Sequence, residues 1–231
     1  MFKIRPFYLL GLFIPAIAQA EIDKIYHPYV EAYKTEIEYQ MLYKNDKDSL
    51  KDGIQIHRLS VGHAINEKVA IEAKTIGKHL PSDSFDIHAY ELETKVQLTE
   101  QGEYWSDWGL LFEVSRNTNQ NYWETSTGLL WEKEWGRVIT SANFFIEYEL
   151  GSGIKNEFET AFHSQIKYRL SRYLEPALEL YMDEETRGIG PVILGSHKIG
   201  FNNLNWEIGC IFAFNQKTSD QNLRLLIDYE F

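Results

Sequence analysis

The side chains of this sequence that could do chemistry are mostly carboxylates, and they recur at alternate positions. Glu91 and Glu93 are separated by one residue, as are Glu147 and Glu149. Side chains two positions apart lie on one face of an extended strand. Rows of carboxylates along a sheet create a negative field that attracts cations. The first expectation is therefore an acidic surface carried by β-strands.

Residue pairs that could support catalysis are few. Asp86 and His88 are spaced so that a strand would place both side chains on one face. His163 and Ser164 are adjacent, so a strand would point them to opposite faces, and they cannot act together as base and nucleophile. A strand-edge hydrogen bond accounts for Asp86 and His88 without catalysis. We therefore expect a protein that is not an enzyme.

The sequence predicts no metal or cofactor site. His57 and His63 are six residues apart, and that separation spans about 20 Å in an extended strand. The acidic stretch 45–53 lacks the spacing and the distal Glu of a calcium loop. Cys210 is the single cysteine. It falls on the apolar face of its strand, where it should behave as a small hydrophobic side chain.

The elements that must carry these side chains are strands, because apolar and polar residues alternate in segments of roughly ten residues. The segment 138–150 is the cleanest case, with Ile139 and Phe145 as its exceptions. Short links on one side of the sheet and longer polar links on the other predict an antiparallel up-and-down meander. The predicted strands lie near 31–44, 54–65, 68–78, 86–98, 108–116, 122–133, 137–150, 157–170, 174–182, 189–198, 204–214 and 222–231.

The first twenty residues have the pattern of a cleaved secretory signal. Lys3 and Arg5 precede an apolar run over 7–18, and Ala18 and Ala20 supply the small residues that signal peptidase needs. Cleavage after Ala20 would leave residues 21–231 as a single domain and change the formal net charge from −11 to −13. An exported chain with one cysteine has no intramolecular disulfide to stabilise it.

The strand number predicts which face is inside. A soluble closed barrel of about twelve strands would have an apolar interior too wide for side chains to fill. The pattern therefore favours apolar residues facing lipid and charged residues facing a wet lumen. The mean hydropathy of −0.37 is then an average over two opposite faces. The acidic net charge of −11 argues against nucleic acid as a partner.

The end of the chain points to a compartment. Leu223, Leu225, Ile227, Tyr229 and Phe231 alternate up to the last residue. This tail resembles the terminal signature of Gram-negative outer-membrane proteins. The resemblance implies recognition by the outer-membrane assembly machinery, with Tyr229 and Phe231 as the signal. The mature chain also resembles the small porin-like barrels of about twelve strands. Oligogalacturonate channels in that group have basic lumens, and this chain departs from that pattern.

The expected function is a passive outer-membrane channel with an acidic lumen for cations or small neutral solutes. Membrane lipid, the assembly machinery and small solutes are its expected partners. Arg58, Arg169 and Arg224 could instead cross-link neighbouring glutamates and plug the barrel. The residues predicted to line the lumen are Glu38, Arg58, Glu72, Lys74, Glu91, Glu93, Lys95, Glu113, Glu147, Glu159, Lys167, Arg169, Glu179, Glu207, Arg224 and Asp228.

Two alternatives belong to other classes of protein. One is an outer-membrane enzyme that hydrolyses lipid or peptide, because the Asp86 and His88 pair weakly resembles the Asp-His pairing of outer-membrane proteases. The other is a soluble periplasmic β-barrel that binds an apolar ligand. Phe144, Phe162 and Phe212 pointing into the barrel would favour that second alternative.

Overall fold

The computed structural model describes residues 22–49, 51–81, 84–119, 121–151 and 156–231. The predicted signal peptide at 1–20 lies outside these ranges. The described residues contain no helix that is long and apolar enough to span a bilayer. They form the strands β1 (Thr35–Asn45), β2 (Gln55–Ala64), β3 (Val69–His79), β4 (Asp86–Gln97), β5 (Asp107–Asn117), β6 (Tyr122–Trp135), β7 (Val138–Gly151), β8 (Phe158–Tyr168), β9 (Glu175–Met182), β10 (Arg187–Ile199), β11 (Asn202–Ala213) and β12 (Gln221–Glu230).

Each strand pairs antiparallel with its neighbours in the sequence, and β1 pairs with β12 to close the barrel. The all-β, closed up-and-down antiparallel barrel predicted from the alternation is confirmed. The main difference is at the first strand, which begins at Thr35 and not near residue 31. There the Lys34 amide donates to the Glu31 carbonyl at 3.3 Å, and Tyr33 has a left-handed φ of 61°. This turn prevents an extended conformation before Thr35.

The two ends of the barrel differ in their connections. At one end, termed the turn end, β6 and β7 are joined through Gly136, and β10 and β11 through Gly200. Both glycines have left-handed φ values, 62° and 67°, which few other residues adopt in a tight turn. Thr35 and Glu230, where the barrel strands begin and end, also lie at the turn end. The longer links, such as 46–54 and 214–220, define the opposite loop end.

The outer surface of the barrel is apolar. Leu59, Ile146 and Ile208 are each more than half exposed although they lie in the middle of strands. Phe144 and Phe212 are also exposed, and the Phe162 ring packs on Phe144 outside the barrel with centroids 4.8 Å apart. Inward phenylalanines would have favoured the periplasmic-barrel alternative, and their position outside the barrel argues against it. An apolar exterior is the arrangement expected of a barrel surrounded by lipid.

The interior is polar over most of its area but not everywhere. A loop-side apolar cluster joins Leu42, Ile56 and Ile211 on the wall to Ile22 and Ile25, which precede the first strand. A second cluster contains Tyr26, Leu111, Leu130, Phe145 and Ala161. Phe145 and Ile139 break the alternation of β7, and both are buried in the structure.

Candidate functional site

The N-terminal segment comprises residues 22–34, of which residues 22–30 lie inside the barrel. Ile22, Ile25 and Tyr26 are between 2% and 7% exposed. Near the turn end, the Val30 amide donates to Gln97 Oε1 at 2.7 Å, and the Tyr29 hydroxyl donates to Asp107 at 2.8 Å. The segment therefore enters the interior from the turn end and extends toward the loop-side apolar cluster.

The middle of the N-terminal segment contacts opposite walls. Tyr26 and Asn143 of β7 form two backbone-to-amide hydrogen bonds of 2.9 Å. The Tyr26 hydroxyl also donates to Glu93 of β4 at 2.5 Å. The Nδ1 atom of the His27 ring pairs with the Glu132 carboxylate of β6. Lys24 of the same segment donates to Glu38 of β1, and β1 and β7 are six strands apart in the closed ring of twelve. The segment therefore crosses the lumen and does not lie along one wall.

Lys24 places a positive charge in the interior. Its ammonium donates to Glu38 of β1 at 2.9 Å and lies 3.5 Å from Glu72 of β3. Burial alone would lower the pKa of Lys24, but Glu38, Glu72 and Glu93 raise it well above its ordinary value. Lys24 therefore stays charged and binds the segment to β1 and β3.

Lys74 of β3 extends this ion-pair network next to Tyr26. Its ammonium donates to Glu91 at 2.8 Å and to Glu93 at 2.9 Å, and its side chain is only 2% exposed. The carboxyl of Asp23 lies 3.9 Å from the same ammonium. Burial would raise the pKa of Asp23, but Arg58, Lys74 and Lys24 hold it well below its usual range.

Arg224 of β12 forms the cross-link that the sequence left open as an alternative. Its guanidinium donates to Glu179 at 2.8 Å and to Glu207 at 2.9 Å. It also donates to the backbone carbonyl of Asp23, as does the Tyr181 hydroxyl. The side chains of Arg224 and Glu179 are fully buried. One buried cation thus connects three wall strands to the N-terminal segment.

The loop-end wall on β6, β7 and β8 carries a different charge pattern. We term Glu124, Glu147, Glu149 and Glu159 the acidic wall. Glu124 lies directly opposite Glu149 in the pairing of β6 with β7. Glu147 lies directly opposite Glu159 in the pairing of β7 with β8. Each of the four carboxyl groups therefore has another one beside it in the sheet. The acidic wall therefore forms a region of concentrated negative potential.

Open space remains near the turn end, beside the N-terminal segment. A cavity of about 350 Å³ is lined by acidic and basic side chains, including Glu36, Glu207, Asp228 and Glu230. A second cavity of about 320 Å³ adjoins it and shares Glu36 and Glu230, together with Lys95 and Lys167. Both cavities are large enough to hold several water molecules or a small solute.

The structure places most of the sequence-predicted lumen residues in these groups. The side chains that contact the N-terminal segment or its partners are those of Glu38, Glu72, Lys74, Glu91, Glu93, Glu179, Glu207 and Arg224. Glu113 lies within 4.8 Å of the Glu91 and Glu93 carboxylates, and Arg58 is buried on β2. Glu147 and Glu159 belong to the acidic wall, and Lys95, Lys167 and Asp228 line the larger cavity.

Arg169 lies at the edge of this arrangement. It follows β8 at the turn end, and its side chain is 44% exposed. It pairs with Glu134 at 3.0 Å and lies 3.7 Å from Glu175. Arg169 therefore links the end of β6 to the start of β9 at the rim.

The two histidines that the sequence offers as catalytic candidates lie beside amide groups or aromatic rings. Asp86 is exposed, and the His88 ring lies 3.2 Å from the Asn117 amide and 3.4 Å from that of Asn119. His163 is buried between the rings of Phe145 and Tyr181. Amide groups and aromatic rings do not supply an activated nucleophile.

The C-terminal residues close the sheet. Tyr229 pairs in register with Ile37 of β1 and Leu204 of β11. Phe231 exchanges backbone hydrogen bonds of 2.9 and 3.0 Å with Thr35 and leaves its ring half exposed, 5.9 Å from that of Tyr229. Both rings belong to the apolar exterior at the turn end.

Sequence reasoning did not identify the N-terminal segment as part of the site. Its signal is weak: Ile22, Ile25, Tyr26 and Tyr29 give the stretch before the first strand more large apolar side chains than a solvated leader would have. Their spacing of i, i+3, i+4 and i+7 is that of one face of a helix, but residues 22–30 form no helix in the structure. The periodicity therefore does not show which surface these side chains pack on.

Comparison with known proteins identifies the fold. No known family model matches the sequence, and no curated protein matches it. Among solved structures, the COG4313 outer membrane channel from Pseudomonas putida F1 is similar at 11% identity and a TM-score of 0.63, over 91% of this chain and 99% of that one. The translocator domain of the autotransporter NalP from Neisseria meningitidis is similar at 10% identity and a TM-score of 0.59, over 87% and 88%.

A third similar structure is the KdgM porin in complex with disordered oligogalacturonate, at 9% identity and a TM-score of 0.54, over 86% of this chain and 98% of that one. Identities this low show a shared fold alone. The chain therefore has the closed barrel fold of small outer-membrane porins and channels.

Proposed function

We propose that this protein is a passive outer-membrane channel that favours cations and small neutral solutes. The observation that carries this function is the acidic wall on β6, β7 and β8, in which glutamates lie opposite glutamates inside a barrel with an apolar exterior. Carboxylates that line a pore attract cations and exclude anions. The porin-like barrels with the same fold support the channel class.

The apolar exterior supports insertion in a bilayer. Exposed leucine, isoleucine and phenylalanine side chains would be unfavourable in water when they form one continuous surface. In the proposed location this surface contacts lipid, while the buried charges face the lumen.

We further propose that residues 1–20 direct export and are removed, and that the outer-membrane assembly machinery recognises Tyr229 and Phe231. An intact mass that begins at Glu21 would support the predicted cleavage, and a mass that includes Met1 would contradict it.

The N-terminal segment limits this channel. It crosses the lumen at Tyr26 and inserts Ile22 and Ile25 into the loop-side apolar cluster. Lys24 pairs with Glu38, and the Asp23 carbonyl accepts a hydrogen bond from Arg224. Without the segment, both of these wall side chains would face a solute. In the proposed mechanism the barrel conducts fully only when residues 22–30 leave the interior.

Single-channel recording tests the channel assignment. The full barrel is expected to show small or infrequent conductance, and a variant that lacks residues 23–30 should conduct steadily at a higher level. A deletion variant that folds, as judged by heat-modifiable gel mobility, and still does not conduct would contradict the channel function. A matched variant with Tyr33→Phe, which changes an exposed residue of the same segment, should behave like the unmodified protein.

A further inference from the structure

We propose that Glu36, Asp228 and Glu230 form a divalent-cation site, suited to Ca²⁺, at the seam where β1 and β12 close the barrel. The site goes beyond the proposed channel function, since it concerns how the barrel is closed and not what passes through it. The sequence predicted no metal site, because its three carboxylates come from the two ends of the chain.

The register of the seam brings these carboxylates together. Glu36 lies directly opposite Glu230, and Glu38 lies opposite Asp228. One carboxylate oxygen from each of Glu36, Asp228 and Glu230 lies within 4.8 Å of the others. Like charges directly opposite each other destabilise a strand pair. The seam therefore needs compensating positive charge beyond what a neutral sheet requires.

Part of that compensation comes from the protein. Lys34 donates to Glu230 at 2.7 Å, and Asn203 donates to the same oxygen at 3.0 Å. Asn205 donates to Glu230 and to Asp228 Oδ2, each at 2.9 Å. Glu230 is thus well supplied with donors. Three carboxylates with one lysine leave a net charge of −2, which a divalent cation would neutralise.

An independent observation points to a ligand at this place. Asp228 is only 8% exposed, and its Oδ1 atom is buried without a hydrogen bond within the described part of the chain. A buried carboxylate oxygen without a hydrogen-bond partner is unfavourable. Asp228 also lines the cavity of about 350 Å³, together with Glu36 and Glu230. A cation in that cavity would satisfy the free oxygen.

The geometry has room for the ion and its waters. Gly62 of β2 lies opposite Glu36, and a Cβ atom there would come within 2.6 Å of Glu36 Oε1. The glycine therefore lets the Glu36 carboxylate lie against the wall. Oxygens up to 4.8 Å apart can flank one Ca²⁺ at about 2.3–2.6 Å, whereas Mg²⁺ requires ligands at about 2.0–2.1 Å. The open cavity supplies space for the waters that complete the coordination.

A second carboxylate cluster in the barrel provides the matched control. Glu91, Glu93 and Glu113 are equally close together. There, however, Lys74 donates to Glu91 and Glu93, and the Tyr26 hydroxyl donates to Glu93. Protein donors already occupy this cluster, so removal of the Glu91 charge should leave cation binding at the seam unchanged.

Calorimetric titration of the chelator-treated, folded full-length barrel in detergent tests the site, with CaCl₂ and MgCl₂ as probes. Ca²⁺ should bind at one site and raise the midpoint of the heat-induced mobility shift by at least about 2 °C. The double variant E36Q D228N should bind Ca²⁺ at least tenfold more weakly and lose the midpoint shift, whereas E91Q should keep both. The double variant removes like-charge repulsion at the seam, so it should still form the heat-modifiable barrel.

Three results would overturn the proposal. They are absence of Ca²⁺ binding by the unmodified barrel, an equal Ca²⁺ response in E36Q D228N, and tighter binding of Mg²⁺ than of Ca²⁺. Channel conductance does not enter any of these measurements. A failed cation site is therefore distinguishable from a failed channel assignment.

Discussion

Tyr26 and Asn143 exchange two hydrogen bonds inside the barrel: the Tyr26 amide donates to Asn143 Oδ1, and Asn143 Nδ2 donates to the Tyr26 carbonyl, both at 2.9 Å. One side-chain amide thus satisfies the backbone donor and the backbone acceptor of a residue in the middle of the lumen. A buried backbone group without such a partner is costly. This pairing fixes the height at which the N-terminal segment crosses the barrel.

Replacement of Asn143 should therefore loosen the segment. Asn143→Ala removes both hydrogen bonds to Tyr26, a loss of about 1–3 kcal/mol, which corresponds to a rise of roughly 5- to 150-fold in the population with the segment displaced. Single-channel recording should show a higher open probability at unchanged open-state conductance. Asn119→Ala, at an exposed loop residue, is the control. Equal open probability in the Asn143 variant and the unmodified barrel would show that the segment does not occlude the pore.

Ile25 provides a test of the apolar contact. Ile25 is 4% exposed in the loop-side apolar cluster, and Ile25→Glu would bury an additional carboxylate there, which is strongly unfavourable without a partner. We expect the segment to leave the interior and the bond after Lys24 to become sensitive to trypsin. Ile25→Val keeps the apolar contact and should remain resistant. Resistance in both variants would contradict the packing described for Ile25.

Arg224 is expected to stabilise the barrel through charge pairing. Arg224→Met would leave Glu179 and Glu207 in the interior without their buried cation, a loss of about 3–5 kcal/mol. The midpoint of the heat-induced mobility shift should fall by roughly 10 °C. The triple variant E179Q E207Q R224M removes the unpaired charges and should recover most of that loss. A triple variant as unstable as Arg224→Met would show that the guanidinium acts mainly through packing.

The pKa of Lys24 predicts how pH affects the closed state, in which the N-terminal segment lies inside the barrel. The pKa of Lys24 in the folded protein is raised above the ordinary value of 10.5, because burial, which lowers it, is outweighed by Glu38, Glu72 and Glu93. The stabilisation by its charge is therefore fully present below pH 10.5 and is lost as pH rises through the higher folded-state value. Open probability should stay constant from neutral pH to about pH 10 and rise only above it. Lys24→Met should be open more often at all of these pH values, and a rise near pH 8 in the unmodified barrel would contradict the assignment.

The strands could be predicted closely from the sequence because alternation is a local signal. The segment expected at 86–98 is Asp86–Gln97 in the structure, and the segment expected at 137–150 is Val138–Gly151. Ile139 and Phe145 broke the pattern for a physical reason. Phe145 packs on Tyr26, with ring centroids 6.2 Å apart, so its large apolar side chain is needed inside. An apparent error in the period therefore marked the place where the N-terminal segment contacts β7.

The N-terminal segment and the seam could not be predicted in the same way. The contacts of Lys24 with Glu38 and Glu72 depend on how far the wall strands stand from the barrel axis, which alternation does not determine. The proximity of Glu36 and Asp228 depends on the register between the first and last strands. A shift of one residue in that register would have turned either side chain outward. Both features need the closed barrel before they exist.

The reversal potential across a KCl gradient tests the proposed function most directly. The measurement uses the barrel that lacks residues 23–30, so that the wall alone sets the selectivity. We predict a potential of the sign that indicates cation preference, and a shift toward zero when Glu124, Glu147 and Glu159 are replaced together by glutamine. A clear preference for chloride, or a preference for potassium that is unchanged in the triple variant, would contradict an acidic lumen as the basis of selectivity.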